Sequence, residues 1–295
     1  MADSPGRSSL IRDHRRQWRR CLYVYPVIAR RSKGLSVGVN LNPRRDCTFA
    51  CAYCQVDRRI PRGLHEVSLP LLRDELEEAL EAAVSGELWK EERFSPTPEA
   101  MRRISDIAFS GDGEPTCLPD FDKAVQVAAD VKRELGLGEV KIVVITNSTN
   151  LQSPQVTRAL PILDANNGEI WAKLDAGTEE YFQRINRPRG PITLERIVQN
   201  ITAVATGRPV VIQTLLARIE GQPPDDAEIR AYCGRIGRIL AGGGRIKLIQ
   251  VHTVARPPAE RYVTPLSNGE LDAIAERIRQ AVPGAAVETY YGAGG

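Results

Sequence analysis

Short apolar runs recur along this chain, and each ends in a polar loop that leads into a stretch of helical period. The clearest run is 140–146, VKIVVIT. It is β-branched and almost wholly apolar, which suits a parallel strand covered on both faces. Further strands are expected at 34–41, 105–110, 169–174, 210–218 and 245–251, with a terminal one at 285–291. A helix is expected after Ser68, because Leu69, Leu72, Leu76, Leu80 and Val84 share one face. Ser68 can cap it, and Pro70 falls in its first turn. Other helices are expected at about 120–135, 154–160, 178–186, 191–205, 225–240 and 267–281. Residues 86–104, with Pro96 and Pro98, read as a charged surface excursion. Strand then helix, repeated about six times without a long linker, predicts an α/β fold with a parallel sheet and right-handed crossovers. In a barrel of this kind the chemistry collects on the loops after the strands.

The polar motifs fall on those loops. The first loop holds Cys47, Cys51 and Cys54, with no fourth cysteine nearby. A structural zinc site wants four closed ligands, and an all-cysteine iron–sulfur site wants four thiolates. Three thiolates leave one iron of a [4Fe–4S] cube open, and an open position on a metal marks a reactive site. Two plainer readings use the same residues: a zinc ion completed by His65, or thiols on a loop with no metal. Gly111-Asp112-Gly113-Glu114 follows the second strand. Its glycines let backbone approach a ligand closely, or simply make a turn into a helix. Thr146, Asn147 and Ser148 end the third strand, where hydroxyl and amide groups suit ribose hydroxyls or cap a helix. Lys173 and Asp175 end the fourth, and period two puts both on the inner face. A charged pair there is costly unless paired or used. Lys173 can hold a carboxylate or form a Schiff base, or the two are a structural bridge. Gln213, Arg218, Glu220, Gln250 and His252 are expected to complete a polar rim. Asn186-Arg187-Pro188-Arg189 is a basic turn that meets phosphate or ends a helix. Cys117 lies near the Gly111–Glu114 motif or packs; Cys21 and Cys233 receive no chemistry.

The C-x₃-C-x-(aromatic)-C pattern of residues 47–54 resembles the radical S-adenosylmethionine (SAM) superfamily. That resemblance implies an incomplete (βα)₆ barrel. It implies a [4Fe–4S] cluster on Cys47, Cys51 and Cys54 whose open iron binds the amino and carboxylate groups of SAM. It further implies reductive cleavage of SAM to a 5′-deoxyadenosyl radical that takes hydrogen from a substrate. Tyr53 is then expected near the adenine, and Gly111, Asp112, Gly113 and Glu114 look like the family's Gly-Gly-Glu motif for the SAM ammonium, with Asp112 inserted. Asn147, with Thr146 and Ser148, is expected at the ribose. A reductant such as flavodoxin or ferredoxin is implied as a partner. The stretches 109–116, 172–188 and 251–258 together resemble the branch of the tRNA wybutosine-synthesising (4-demethylwyosine synthase) enzymes. Those enzymes carry a second cysteine set, and this chain has no second triad. The expected chemistry is therefore single-cluster hydrogen abstraction from an unidentified substrate, a small molecule or an RNA. A glycyl-radical-type activase acting on a protein partner is a second reading, and a zinc-bound nucleic-acid-binding module a third.

The formal net charge of +3 does not demand a polyanionic partner. Residues 1–33 are nevertheless basic, with nine Lys and Arg against Asp3 and Asp13. They are expected to form an extension that touches phosphate or packs along the barrel, with 34–295 as barrel, last helix and tail. Three of the six cysteines sit in one loop, which is no disulfide framework and implies a reducing compartment. No apolar run reaches the roughly eighteen residues of a membrane span. Residues 21–29 are too short and Tyr-rich for a signal sequence. A soluble, cytoplasmic protein without a membrane partner is expected.

Overall fold

The computed structural model describes residues 17–29, 31–42, 45, 47–56 and 66–292. His65, the first sixteen residues of the basic stretch and the last three of the tail lie outside the described residues. Among the described residues the chain forms nine strands and seven α-helices, and it divides into two compact units.

The first unit takes the described residues within Met1–Asp46, Pro61–Ile145 and Ser153–Glu169. It carries β1 (Val24–Ala29), β2 (Gly34–Val39), β3 (Ile104–Phe109) and most of β4 (Lys141–Thr146), with helices α1 (Leu69–Val84), α2 (Phe121–Glu134) and α3 (Pro154–Ala165). The strand order is β1-β2-β3-β4. β2, β3 and β4 are parallel, as expected. β1 is antiparallel to β2 and lies in the stretch read from sequence as a basic extension. Too few residues separate the two strands for a parallel crossover, which needs a dozen or more. Five of the six residues of VYPVIA are buried, so apolar burial, not the flanking charge, decides where this segment goes. Tyr25 stands opposite Gly38, where a Cβ would come within 2.3 Å of the ring.

Glu75 of α1 ties this segment down. Its buried carboxylate accepts from the backbone N–H groups of Leu22 at 2.7 Å, Tyr23 at 2.8 Å and Val24 at 3.1 Å. Hydrogen bonds to a charged group contribute about 1.5–3 kcal/mol, and orphaned buried donors are costly. Glu75→Leu is therefore expected to cost about 3 kcal/mol, read as a lowered midpoint in urea denaturation, and Glu75→Gln less.

The 86–104 stretch is not the surface excursion its charge suggests. Leu88, Phe94, Thr97 and Met101 are buried, so apolar residues at irregular spacing pin it to the unit. α3 also runs past the expected end at 160, with Pro161 inside it. The proline removes one hydrogen bond, but Val156, Ala159 and Leu163 bury one face and hold the helix.

The second unit takes the described residues within Cys47–Ile60, Thr146–Gln152 and Ile170–Gly295. Its elements are most of β5 (Gly168–Lys173), then α4 (Glu179–Ile185), α5 (Leu194–Gly207), β6 (Val210–Ile219), α6 (Asp226–Ala241), β7 (Ile246–Thr253), β8 (Val263–Pro265), α7 (Asn268–Ala281) and β9 (Val287–Tyr290). The order is β5-β6-β7-β9, all parallel, with β8 antiparallel to β6. β8 is three residues long and carries no alternation that a sequence reading can detect. Thr214 meets Tyr232 of α6, oxygen to oxygen at 2.6 Å, so α6 covers that face of β6. Successive side chains alternate faces, so Gln213 and Leu215 point the other way. Lys173, Gln213, Gln250 and Glu288 stand in register across β5, β6, β7 and β9. Among the described residues no helix is long and apolar enough to cross a membrane.

Candidate metal centre

The cysteine loop belongs to the second unit and is held there from two sides. α4 ends at Ile185; Arg187 then takes a φ of 47°, and Pro188 cannot continue a helix. The chain leaves the helix extended and runs beside the loop. Ala52 N–H donates to the Ile185 carbonyl at 2.8 Å, and Ala50 N–H to those of Asn186 at 3.2 Å and Arg187 at 3.0 Å. Arg189 N–H donates to the Thr48 carbonyl at 2.7 Å, and Phe49 and Pro188 form an antiparallel bridge. Phe49 packs edge-on against Phe182 of α4, ring centres 5.5 Å apart. From sequence alone, 186–189 reads as a phosphate contact or a helix end, not as a partner of the cysteine loop. The pairing is made by backbone, which leaves no side-chain signature. On the other side, Asn147 Nδ2 donates to Thr48 Oγ1 at 2.7 Å, and Ala259 N–H donates to the Cys54 carbonyl at 3.3 Å.

N–H donors face the sulfurs of Cys47 and Cys51. Cys47 Sγ faces the Phe49 N–H at 3.5 Å and Asn147 Nδ2 at 3.7 Å. Cys51 Sγ faces Asn186 Nδ2 at 3.7 Å. All three cysteines are half-buried, while Phe49 and Ala52 behind them are buried. Burial pushes the Cys51 thiol up to about 11. Lys173 and the Tyr53 hydroxyl oppose that rise, and Asp175 and Cys47 add to it. Metal binding at such a thiol releases a proton. Among the described residues no three His, Cys, Asp or Glu side chains converge as they would round a single ion. The donor set fits a cube: three thiols on one anchored loop, N–H groups at the sulfurs of Cys47 and Cys51, and buried apolar residues within the loop.

Beside the loop lies a buried carboxylate. Asp175, 3% exposed, accepts from the Tyr53 hydroxyl, from Asn186 Nδ2 at 2.8 Å and from the Leu215 N–H at 2.8 Å. Burial, reinforced by Asp175, holds the Tyr53 phenol protonated well above its usual range. The Lys173 ammonium sits 4.8 Å from the centre of the Tyr53 ring. Tyr53, Lys173 and Asp175 are thus brought together, with a fourth member, Asn186, that the sequence marks only as part of a basic turn. Of the strand-end trio, Asn147 reaches the cysteine loop, Thr146 Oγ1 accepts from the Ser148 N–H at 3.0 Å, and Ser148 takes a φ of 70°.

Gln213 and Gln250 are 1% and 2% exposed, and Gln213 Nε2 donates to Gln250 Oε1 at 3.2 Å. His252 is buried one step further along β7. Arg218 and Glu220 point elsewhere, into ion pairs with Glu270 at 2.5 Å and Arg184 at 2.9 Å.

Gly111–Glu114 belongs to the first unit, where Asn40 at the end of β2 organises it. Gly111 has a φ of 148°, and a Cβ there would lie 2.5 Å from Asn40 Oδ1. Asn40 Oδ1 accepts from the Asp112 N–H at 3.1 Å, and Asn40 Nδ2 donates to Asp112 Oδ2 at 2.9 Å. The Glu114 carboxylate is buried and accepts from the Thr116 hydroxyl at 2.6 Å; its carbonyl accepts from Asn42 Nδ2 at 2.9 Å. Cys117 ends the short 3₁₀ turn that follows.

The profile of the radical SAM superfamily matches residues 41–231. A relative from Methanocaldococcus jannaschii, UPF0026 protein MJ1312, is 24% identical over 81% of this chain, and the chain spans 65% of that protein's length. A radical SAM methyltransferase from Sphaerobacter thermophilus superposes over 91% of this chain and 69% of its own, with 16% identity and a TM-score of 0.59. A structure of TYW1 with a lysine–pyruvate adduct bound superposes over 93% of this chain and 80% of its own, with 16% identity and a TM-score of 0.54. At that identity the structural likeness shows the fold: α/β, an incomplete (βα)₆ barrel, as expected. The chain belongs to the radical SAM superfamily, and its cofactors are the [4Fe–4S] cluster and SAM that members of the superfamily bind.

Proposed function

We propose that this protein is a single-cluster radical SAM enzyme in which Cys47, Cys51 and Cys54 hold the cluster, and which abstracts hydrogen from a substrate bound in the second unit. The observation that carries this reading is the anchored cysteine loop, with N–H donors at the sulfurs of Cys47 and Cys51. When bound, the reduced cluster and SAM together supply a 5′-deoxyadenosyl radical. The rest falls to the chain's own residues. Asp175 and Tyr53 brace the cysteine loop, and the Lys173 ammonium over the Tyr53 ring holds a carboxylate, of SAM or of substrate. Glu114, Asp112 and the glycines beside them receive the SAM ammonium and Asn147 its ribose, an assignment that rests on the sequence resemblance. Gln213 and Gln250 leave amide donors beside a carbonyl acceptor. That pairing suits the edge of a nucleobase, so an RNA is the favoured substrate and a small molecule the alternative. A cytoplasmic flavodoxin or ferredoxin supplies the electron.

The test is anaerobic reconstitution with iron and sulfide. About four irons per chain, a brown protein and release of 5′-deoxyadenosine from SAM under dithionite are expected. A colourless protein with one zinc and no SAM cleavage overturns the reading. Deuterium transfer into 5′-deoxyadenosine from labelled RNA, against a labelled metabolite extract, separates the two substrates.

A further inference from the structure

Asn186 sits at a junction that the proposed reaction does not explain. Its side chain is 2% exposed and its Nδ2 lies 3.7 Å from Cys51 Sγ, 3.3 Å from the Tyr53 hydroxyl and 2.8 Å from Asp175 Oδ2. Its Oδ1 is buried without a hydrogen-bond partner. Its backbone carbonyl accepts from Ala50 N–H at 3.2 Å within the same loop. The residue therefore grips the cysteine loop by main chain and aims an amide group at one cysteine sulfur. Asp175 accepts from that amide and from the Tyr53 hydroxyl, and it is the buried carboxylate of the group. A structural bond alone accounts poorly for this choice. A hydrophobic residue would fill the same space without leaving a carbonyl oxygen unpaired, and buried unsatisfied groups are rare and call for an explanation.

We infer that Asn186 and Asp175 are positioning residues that set the reduction potential of the cluster on Cys47, Cys51 and Cys54, in opposite directions. This rests on the proposed single-cluster reading. One electron enters the cube on reduction, from the external reductant, and no bond to the protein forms or breaks. The added negative charge is spread over the cube and its cysteine sulfurs. An N–H group aimed at Cys51 Sγ stabilises that charge, so Asn186 raises the potential. A carboxylate fixed close by opposes it, so Asp175 lowers the potential. Hydrogen bonds to the sulfurs and net charge are two of the recognised determinants of such potentials. Tyr53 and Lys173 complete the environment: the phenol hydrogen bond holds the carboxylate in place, and the ammonium over the ring partly offsets its charge.

The test is an anaerobic redox titration of the reconstituted full-length protein with dithionite, without SAM, following the electron paramagnetic resonance signal of the reduced cube. Asn186→Leu is expected to lower the reduced-to-oxidised ratio at a fixed potential about tenfold, which for a one-electron couple is about 59 mV. Asp175→Asn keeps the shape, accepts from the Tyr53 hydroxyl through its carbonyl oxygen, and is expected to raise that ratio by a similar factor. Asn186→His restores a ring N–H toward the sulfur and is expected to bring the potential back toward the parent's. Iron and sulfide content, measured on every variant, shows that each carries a cube. Shifts of the same sign in Asn186→Leu and Asp175→Asn mean that both merely let water in, and they overturn the inference; so does no shift in either. Failure of the parent itself to take up about four irons overturns the single-cluster reading instead.

Discussion

Cys51→Ala is expected to leave a protein that folds but holds no complete cube and cleaves SAM at less than about one hundredth of the parent rate. In the proposed reading Cys51 is the middle ligand of the trio, and it is the one whose sulfur meets the Asn186 amide. Loss of a residue that merely supports a metal ligand costs 10–100-fold in affinity or activity, so loss of a ligand belongs at or beyond that limit. The fold is expected to survive, because the loop is anchored by Ala50, Ala52 and Thr48 backbone bonds that do not involve the cysteine side chain. Iron content, the electron paramagnetic resonance signal and chromatographic 5′-deoxyadenosine are the readouts. Cys47→Ala and Cys54→Ala should match it. Cys117→Ala, Cys21→Ala and Cys233→Ala should retain the full iron content. A Cys51→Ala protein with four irons and parental cleavage would remove the basis of the functional assignment.

Gly177→Ala is expected to destabilise the second unit by about 4 kcal/mol, above the usual 1–3 kcal/mol of overpacking. A Cβ at Gly177 would stand 2.1 Å from the Tyr232 backbone nitrogen and 2.6 Å from the Glu228 carbonyl oxygen. Both are backbone atoms of α6, and no rotamer change relieves them. The same turn is clamped by the buried Glu228 carboxylate, which accepts from the N–H groups of Gly177 at 2.5 Å and Thr178 at 3.0 Å and from the Thr178 hydroxyl at 2.6 Å. Arg235 Nε donates to the Gly177 carbonyl at 2.9 Å. Pushing α6 away strains every one of these bonds at once. Urea denaturation should show a lowered midpoint with little change in slope. Gly177 is two residues beyond Asp175, so iron retention should fall with it. A variant as stable as the parent would mean that α6 accommodates the methyl by shifting, and that the close approach is incidental.

The strands were readable where a β-branched run sits between turn signals, as in 140–146 and 210–218, because period and composition there report burial directly. β1 was harder to read. Its apolar residues sit in a basic stretch; their burial places it, and the Glu75 carboxylate on α1, about fifty residues away in sequence, ties it down. The 86–104 stretch failed for a similar reason. Leu88, Phe94 and Met101 follow no helical or strand period, and only their common burial identifies them as core.

At the metal centre the residue types and their spacing were legible in the chain. Three thiols four and three residues apart, with an aromatic before the last, mark a candidate metal site and carry the radical SAM resemblance, while a zinc ion with His65 or metal-free thiols use the same residues. Covalent spacing alone does this, because a short loop keeps its thiols close in any fold. Which groups surround those thiols was decided by tertiary structure. Asn186, 135 residues from Cys51 along the chain, reaches its sulfur only because α4 stops before Pro188 and the chain then runs along the cysteine loop. Asp175 meets Tyr53 across 122 residues for the same kind of reason. Ligand identity is a local property of the sequence, whereas the field around a ligand is set by residues that only folding brings within hydrogen-bond reach.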